Sequence, residues 1–347
     1  MAKTTALLHI GTAKTGSSTI QRFGAANREK LAEQGVLYPR SLGPHNHWAL
    51  AAFAFNDDRW PDIRSIAGIE GPAHLEQWRQ ELQRAFHAEV HGGGCNSVLI
   101  SNEHCDLMFE RAEVERIKAL LDPVVDEVTV FFYVRRQDEF LTSMYSTMIK
   151  GGRTQSLKVP LDIKRYDYYR LASLYAEVFG KANVRVRVFD KAEFEGGDLL
   201  ADFFAQVGEI DLGRLSRIKD ANQSLDVTHL EFLRQLNLHL PRMKKRRVNP
   251  ARGNIVQLLE RASSGPLPTL PAATLDAFMA RFEESNAALA REYLHREDGQ
   301  LFQSARRERT SAPMAPLSVD EAFAIFAELW ALKQHEFNKL KLRLRDK

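Results

Sequence analysis

The sequence predicts an α/β protein: a central parallel sheet flanked by helices, followed by a helical C-terminal third. Two observations carry that expectation. Short apolar runs of strand length alternate with longer segments of helical period through residues 1–221. Beyond them, in 222–347, strand-like runs cease and helical periods continue.

The elements follow in order. Residues 6–11, ALLHIG, read as a buried strand, and 17–35 as a helix closed by Gly35. VLYP at 36–39 is a short second strand. Residues 74–90 have helical spacing and HGGGCN at 91–96 is a turn. SVLIS (97–101) is a strand, 112–121 a helix, and EVTVFFYV (127–134) the strongest strand signal of the chain. The next helix, 138–150, puts Phe140, Leu141, Met144, Tyr145 and Met148 on one side. Residues 168–180 and 183–189 add a further helix and strand. Helices are then expected at 225–240, at 274–294 and from Ser318, where Ser318 and Glu321 have capping-box spacing. The last carries an apolar stripe of Phe323, Phe326, Leu329, Trp330 and Phe337. Breaker-rich stretches at 263–272 and 311–318 are the connections. The expected organisation is an α/β core (1–221) with a helical region (222–347) packed on it as part of the same domain.

Composition narrows the function classes. With 48 basic and 45 acidic residues in 347, the net charge of +3 is too balanced for a general nucleic-acid binder. Two cysteines, Cys95 and Cys105, make no disulfide framework and have no zinc spacing. The opening apolar run is too short for a signal segment, and no run approaches the roughly 20 apolar residues of a membrane span. A soluble, cytoplasmic protein is expected, with no nucleic-acid partner, no transmembrane segment and no metal.

Ligands of open parallel sheets sit beyond the carboxyl ends of the strands. At the first such end stands GTAKTGSST, residues 11–19. Gly11 and Gly16 have the spacing of a nucleotide-triphosphate loop. Ser17, however, stands where that loop needs its lysine, and Lys14 comes two residues before Gly16. Backbone amides from Thr15 to Ser18 at a helix N-terminus favour an anion, and the hydroxyls of Ser17, Ser18 and Thr19 add donors. At a second end, after YV, come Arg135 and Arg136 where a kinase would need an aspartate for magnesium. An arginine there can fork onto a phosphate or form an internal ion pair. Ser143, eight residues after Arg135, falls in the first turns of the following helix. Together these elements suit a ligand with two separated anionic groups.

IGTAKTGSST resembles the 5′-phosphosulfate loop of sulfotransferases that use 3′-phosphoadenosine 5′-phosphosulfate (PAPS). YVRRQDEFLTSMY resembles their 3′-phosphate element, although the family's frequent RDP reads RRQ here. Residues around 222–237 and 284–302 are similar to bacterial members. The resemblance implies the P-loop-like sulfotransferase fold, PAPS as donor and its bisphosphate (PAP) as product. It implies Lys14 at the leaving bridge oxygen, Thr15, Gly16, Ser17, Ser18 and Thr19 around the 5′-phosphate, and Arg135 with Ser143 at the 3′-phosphate. The acceptor would be a small molecule or glycan.

The base that activates the acceptor is sought among His and Glu residues near the other strand ends. His47, after the second strand, comes first, with His45 beside it. Glu103 and His104 stand at the third strand end. Six basic residues in 241–253 read as a solvated face or as an attraction for an anionic acceptor. Trp60 and Trp78 are sugar-stacking or core residues. A phosphate-loop kinase or NTPase and a non-catalytic nucleotide-binding module are the rival readings.

Overall fold

The computed structural model describes residues 3–59, 62–217, 224–244, 247–304 and 310–345. Asn222, Trp60, Lys245 and Arg246 lie outside them. The chain divides into two compact units. The first comprises Met1–Arg135, Asp162–Asp220 and Phe282–Ser304; the second comprises Arg136–Leu161, Ala221–Arg281 and Ala305–Lys347.

The first unit is built on a parallel sheet of β1 (Thr5–His9), β2 (Val36–Leu37), β3 (Ser97–Ser101), β4 (Glu127–Val134) and β5 (Val184–Val188). The order is β2-β3-β1-β4-β5, with every pair parallel. A central α/β sheet flanked by helices is thus present as the alternating sequence requires. Burial on both faces explains why β1, β3 and β4 are largely apolar, whereas the edge strand β5 alternates valine with Arg185 and Arg187. Leu7, Leu99, Phe131 and Tyr133 join Ile20, Phe23, Phe203 and Phe204 on one face. Ala6, Leu8, Val98, Ile100, Val130 and Phe132 point the other way, into helices that contribute Leu50, Phe86, Ile117 and Tyr175. Each such side chain stabilises the fold by about 1.5–3 kcal/mol on burial.

β1 is central, and the chain leaves it toward β2 on one side while β4 is followed by β5 on the other. The two connections diverge at the β1–β4 boundary, the switch point where open sheets hold ligands. Thr12 extends the pairing past the end of β1: its amide and hydroxyl both donate to the Tyr133 carbonyl, at 3.2 and 3.0 Å. The segments after β1 and β4 therefore leave the sheet side by side.

In the second unit, helices Gln137–Lys150, Val227–His239, Ile255–Ala262, Ala272–Ala280 and Val319–Arg345 are the principal elements. Asn237 ties the first two together by donating to the carbonyls of Ile149 and Arg153. Three sequence expectations change here. Residues 274–294 are not one helix: Phe282, at φ −114° and ψ 3°, separates Ala272–Ala280 from Glu283–Leu294, and its ring is buried beside Tyr166 of the first unit. Strands do not cease after 222, because Met243–Lys244 pairs with Arg247–Val248 and Leu267–Thr269 with Ser311–Pro313. The helix from Ser318 forms with its capping box, yet its buried side is Ile325 and Leu329. Phe323, Phe326, Trp330 and Phe337 are exposed.

A buried arginine organises one corner of the first unit. Arg64, fully buried, donates to the carbonyls of Ala52, Phe55, Asn56 and Arg59. It thereby serves Ala52 in the last turn of helix Trp48–Ala54 and the chain just beyond it, while Arg79 and Arg116 hold the Phe53 and Ala54 carbonyls. Arg64→Leu removes those donors while leaving the carbonyls buried. It should lower stability by about 3 kcal/mol or more, read as a fall in the urea midpoint at unchanged m-value.

Candidate active site

The loop between β1 and helix Ser17–Ala26 is shaped by its own hydroxyls. Thr15 Oγ1 and Ser17 Oγ, both buried, donate to the Thr12 carbonyl at 2.6 and 3.0 Å. Among the expected phosphate-binding hydroxyls, Ser17 is therefore turned into the loop, while Ser18 is exposed and Thr19 half-buried. Lys14 (φ 66°) and Gly16 (φ 80°) are left-handed on either side of Thr15. A lysine in that region costs about 1–2 kcal/mol, so the surrounding bonds must hold it there. Gly16 is required twice over, since a Cβ there would meet Leu199 Cδ2 at 2.3 Å.

Such alternation turns successive amides toward one concave surface suited to an anion. Gly16 caps the helix without a side-chain hydrogen bond. The amides of Thr15, Gly16, Ser17 and Ser18 receive no acceptor among the described residues. The positive end of the helix dipole adds to an environment that favours an anion.

Two carboxylates flank it. Asp106, buried in the 3-10 turn Glu103–Leu107, accepts the Ala13 amide at 2.8 Å and the Arg165 guanidinium at 3.0 and 3.1 Å. Burial pushes the Asp106 carboxyl up, and Arg165 with the Ala13 amide opposes that shift. Glu103 is half-buried against Gly11, where an added Cβ would lie 3.2 Å from its Cα. Gln21 Nε2 donates to Glu103 Oε2 at 2.6 Å. Sequence reasoning missed Asp106, Arg165 and Gln21. The strand-end rule that selected Glu103 extends to Asp106, but nothing in the sequence signals Arg165.

Arg135, at the end of β4, is buried with 9% exposure, and its guanidinium donates to the Lys14 carbonyl at 3.1 Å. Tyr168 holds the Arg135 carbonyl at 2.7 Å, and Phe189 lies 5.9 Å beneath the guanidinium. Lys14 and Arg135 are thus brought together within the first unit. Ser143 is half-buried on helix Gln137–Lys150 of the second unit.

The histidines fare differently. His47 is fully buried; its Nδ1 accepts the Ser101 amide at 2.9 Å and its Nε2 donates to the Pro39 carbonyl at 3.0 Å. Both ring nitrogens are engaged by backbone, and burial with nearby Arg28 pushes its pKa down to about 3. That environment argues against His47 as a base, because no nitrogen remains to take an acceptor proton. His45 is exposed and His104 half-buried. Trp78 stacks on Trp48 at 6.3 Å against the core, the packing alternative of its two readings. Within the basic run, Arg252 is buried and bonded to Asn237 and Leu240, so that residue is structural. Among the described residues there is no cluster of three metal-ligating side chains, and no helix is long and apolar enough to cross a membrane.

No family profile matches the chain. An uncharacterized protein of Archaeoglobus fulgidus is 30% identical over 185 residues, which is 52% of this chain. The match spans only about half, 49%, of that relative's length. A crystal structure of a sulfotransferase from Alicyclobacillus acidocaldarius aligns with 69% of this chain and 94% of its own, at 14% identity and a TM-score of 0.39.

The burial of His47 has a thermodynamic consequence shared with His9, whose pKa burial also lowers to about 3. Both pKa values lie below the unfolded value, so the associated stability is present above about pH 6.5 and is lost as pH falls toward 3. Each histidine should cost about 1.4 kcal/mol per pH unit within that window. Urea titrations between about pH 7.5 and 5.5 should show the loss, and His47→Gln should remove one of its two components.

Proposed function

We propose that this chain is a sulfotransferase that moves the sulfuryl group of PAPS to a hydroxyl or amine acceptor of a carbohydrate or glycolipid. The observation that carries the reading is Lys14 on an amide-rich loop, bonded through its carbonyl to Arg135 at the neighbouring strand end. The amides of Thr15 to Ser18 suit the 5′-phosphate, and Arg135 suits a second anionic group such as the 3′-phosphate. Gly11 and Gly16, having no side chains, let the loop backbone pack closely against Glu103 and Leu199.

In this proposal the acceptor oxygen attacks sulfur while its proton passes to Glu103. The bond from sulfur to the bridge oxygen breaks, and that oxygen leaves on the 5′-phosphate of PAP. Negative charge grows there, and the Lys14 ammonium opposes it. Glu103 is favoured over His47 because it borders Gly11 and carries only one described side-chain contact, from Gln21. A phosphate-loop kinase suits the site less well: Ser17 holds the loop's lysine position with its hydroxyl turned to Thr12, and Arg135 occupies the end of β4.

Labelled PAPS incubated with panels of sugars, glycolipids and amines should transfer its label. Lys14→Ala should lower turnover by about 10²–10³ while barely changing PAP affinity, since its contribution grows only as the bridge breaks. Near-complete turnover in that variant would contradict the leaving-group role. Glu103→Gln should abolish transfer, and the acidic limb of the pH–rate profile should vanish from any residual activity, with PAP affinity retained. Ser143→Ala tests the remaining sequence expectation: loss of a charge-assisted contact should weaken PAP by about 1.5–3 kcal/mol and leave AMP unchanged.

A further inference from the structure

Helix Val319–Arg345 has two apolar faces where a surface helix needs one. Ile325 and Leu329 are buried, at 5% and 6% exposure. Val319, Phe323, Phe326, Trp330 and Phe337 are 70%, 67%, 55%, 58% and 50% exposed. Their spacings of four, three, four and seven residues keep a single seam of the kind that pairs helices. Phe326 and Trp330 stack on each other at 6.4 Å, so the centre of the seam is continuous. The helix has 27 residues and is about 40 Å long. Contiguous apolar surface of this extent marks an interaction site rather than ordinary surface.

Charge selects the occupant. From Val319 to Leu332 the helix carries Asp320, Glu321 and Glu328 and no basic residue. From Lys333 to Arg345 it carries Lys333, Lys339, Lys341, Arg343 and Arg345 against Glu336 alone. Glu336 is held by Asn254 and Arg261 of its own unit, and Lys333 by Asn254, so neither is needed across the seam. A second copy laid antiparallel sets each acidic half against a basic half. With the seam centred between Trp330 and Lys333, Asp320 of one copy meets Lys341 of the other, twice by symmetry. A parallel pair would instead align like charges along both halves, at a cost. An amphipathic membrane helix would carry basic residues along its whole polar face, which the acidic half does not.

We propose that this face joins two copies of the chain through an antiparallel, isologous helix pair. The proposal is independent of the catalytic reading. Sedimentation of the intact protein over a concentration series should give a dimer, and Phe326→Glu with Trp330→Glu should give a folded monomer. Both replaced side chains are exposed, so an unchanged far-ultraviolet spectrum and thermal midpoint are expected. In a Cys95→Ser background, Asp320→Cys combined with Lys341→Cys should form a disulfide-linked dimer, and Asp320→Cys alone should not. A monomer at every concentration, with or without binding to anionic vesicles, would overturn the proposal. Cross-linking by Asp320→Cys alone would overturn the antiparallel arrangement.

Discussion

The carboxylate of Asp106 holds the arrangement on which the site depends. It accepts the Ala13 amide at 2.8 Å, while the amides of Thr15 to Ser18 receive no acceptor among the described residues. A buried carboxylate beside an anion cradle would ordinarily repel the ligand. Arg165 offsets that charge, bonded to both carboxylate oxygens. Thr12 completes the anchoring, because its carbonyl collects the hydroxyls of Thr15 and Ser17 while its amide holds β4. The loop can then keep Lys14 and Gly16 in left-handed conformations that an unsupported segment would abandon.

The sheet order supplies the second constraint. Because β1 and β4 are neighbours whose connections diverge, Lys14 and Arg135 meet although 121 positions separate them. The direct bond from the Arg135 guanidinium to the Lys14 carbonyl ties the loop to the strand end. Positions fixed before a ligand arrives limit the ordering cost of binding.

The strands and most helices were legible because their signals are local: apolar runs in β1, β3 and β4, and helical periods between them. The loop between β1 and the helix Ser17–Ala26 was legible too, since Gly11, Lys14 and Gly16 lie within six residues. What escaped the sequence depends on contacts distant along the chain. Asp106 and Arg165 acquire meaning only when folding joins positions 59 residues apart. His47 illustrates the converse error, because a histidine after a strand end looks catalytic until its two nitrogens are found on Ser101 and Pro39. The break at Phe282 follows from the burial of its ring in the first unit, not from any helix-breaking residue near it. On the last helix, periodicity marked the apolar stripe correctly but could not tell which of two apolar faces turns inward.

We propose that the loop and Arg135 together recognise a nucleotide with two separate anionic groups. Calorimetry of PAP, AMP and ATP with the purified protein in EDTA tests it most directly. PAP should bind tighter than AMP by about 1.5–3 kcal/mol and tighter than ATP, and Arg135→Ala should erase that advantage. Equal affinity for PAP and AMP, or preference for ATP once magnesium is supplied, would contradict it.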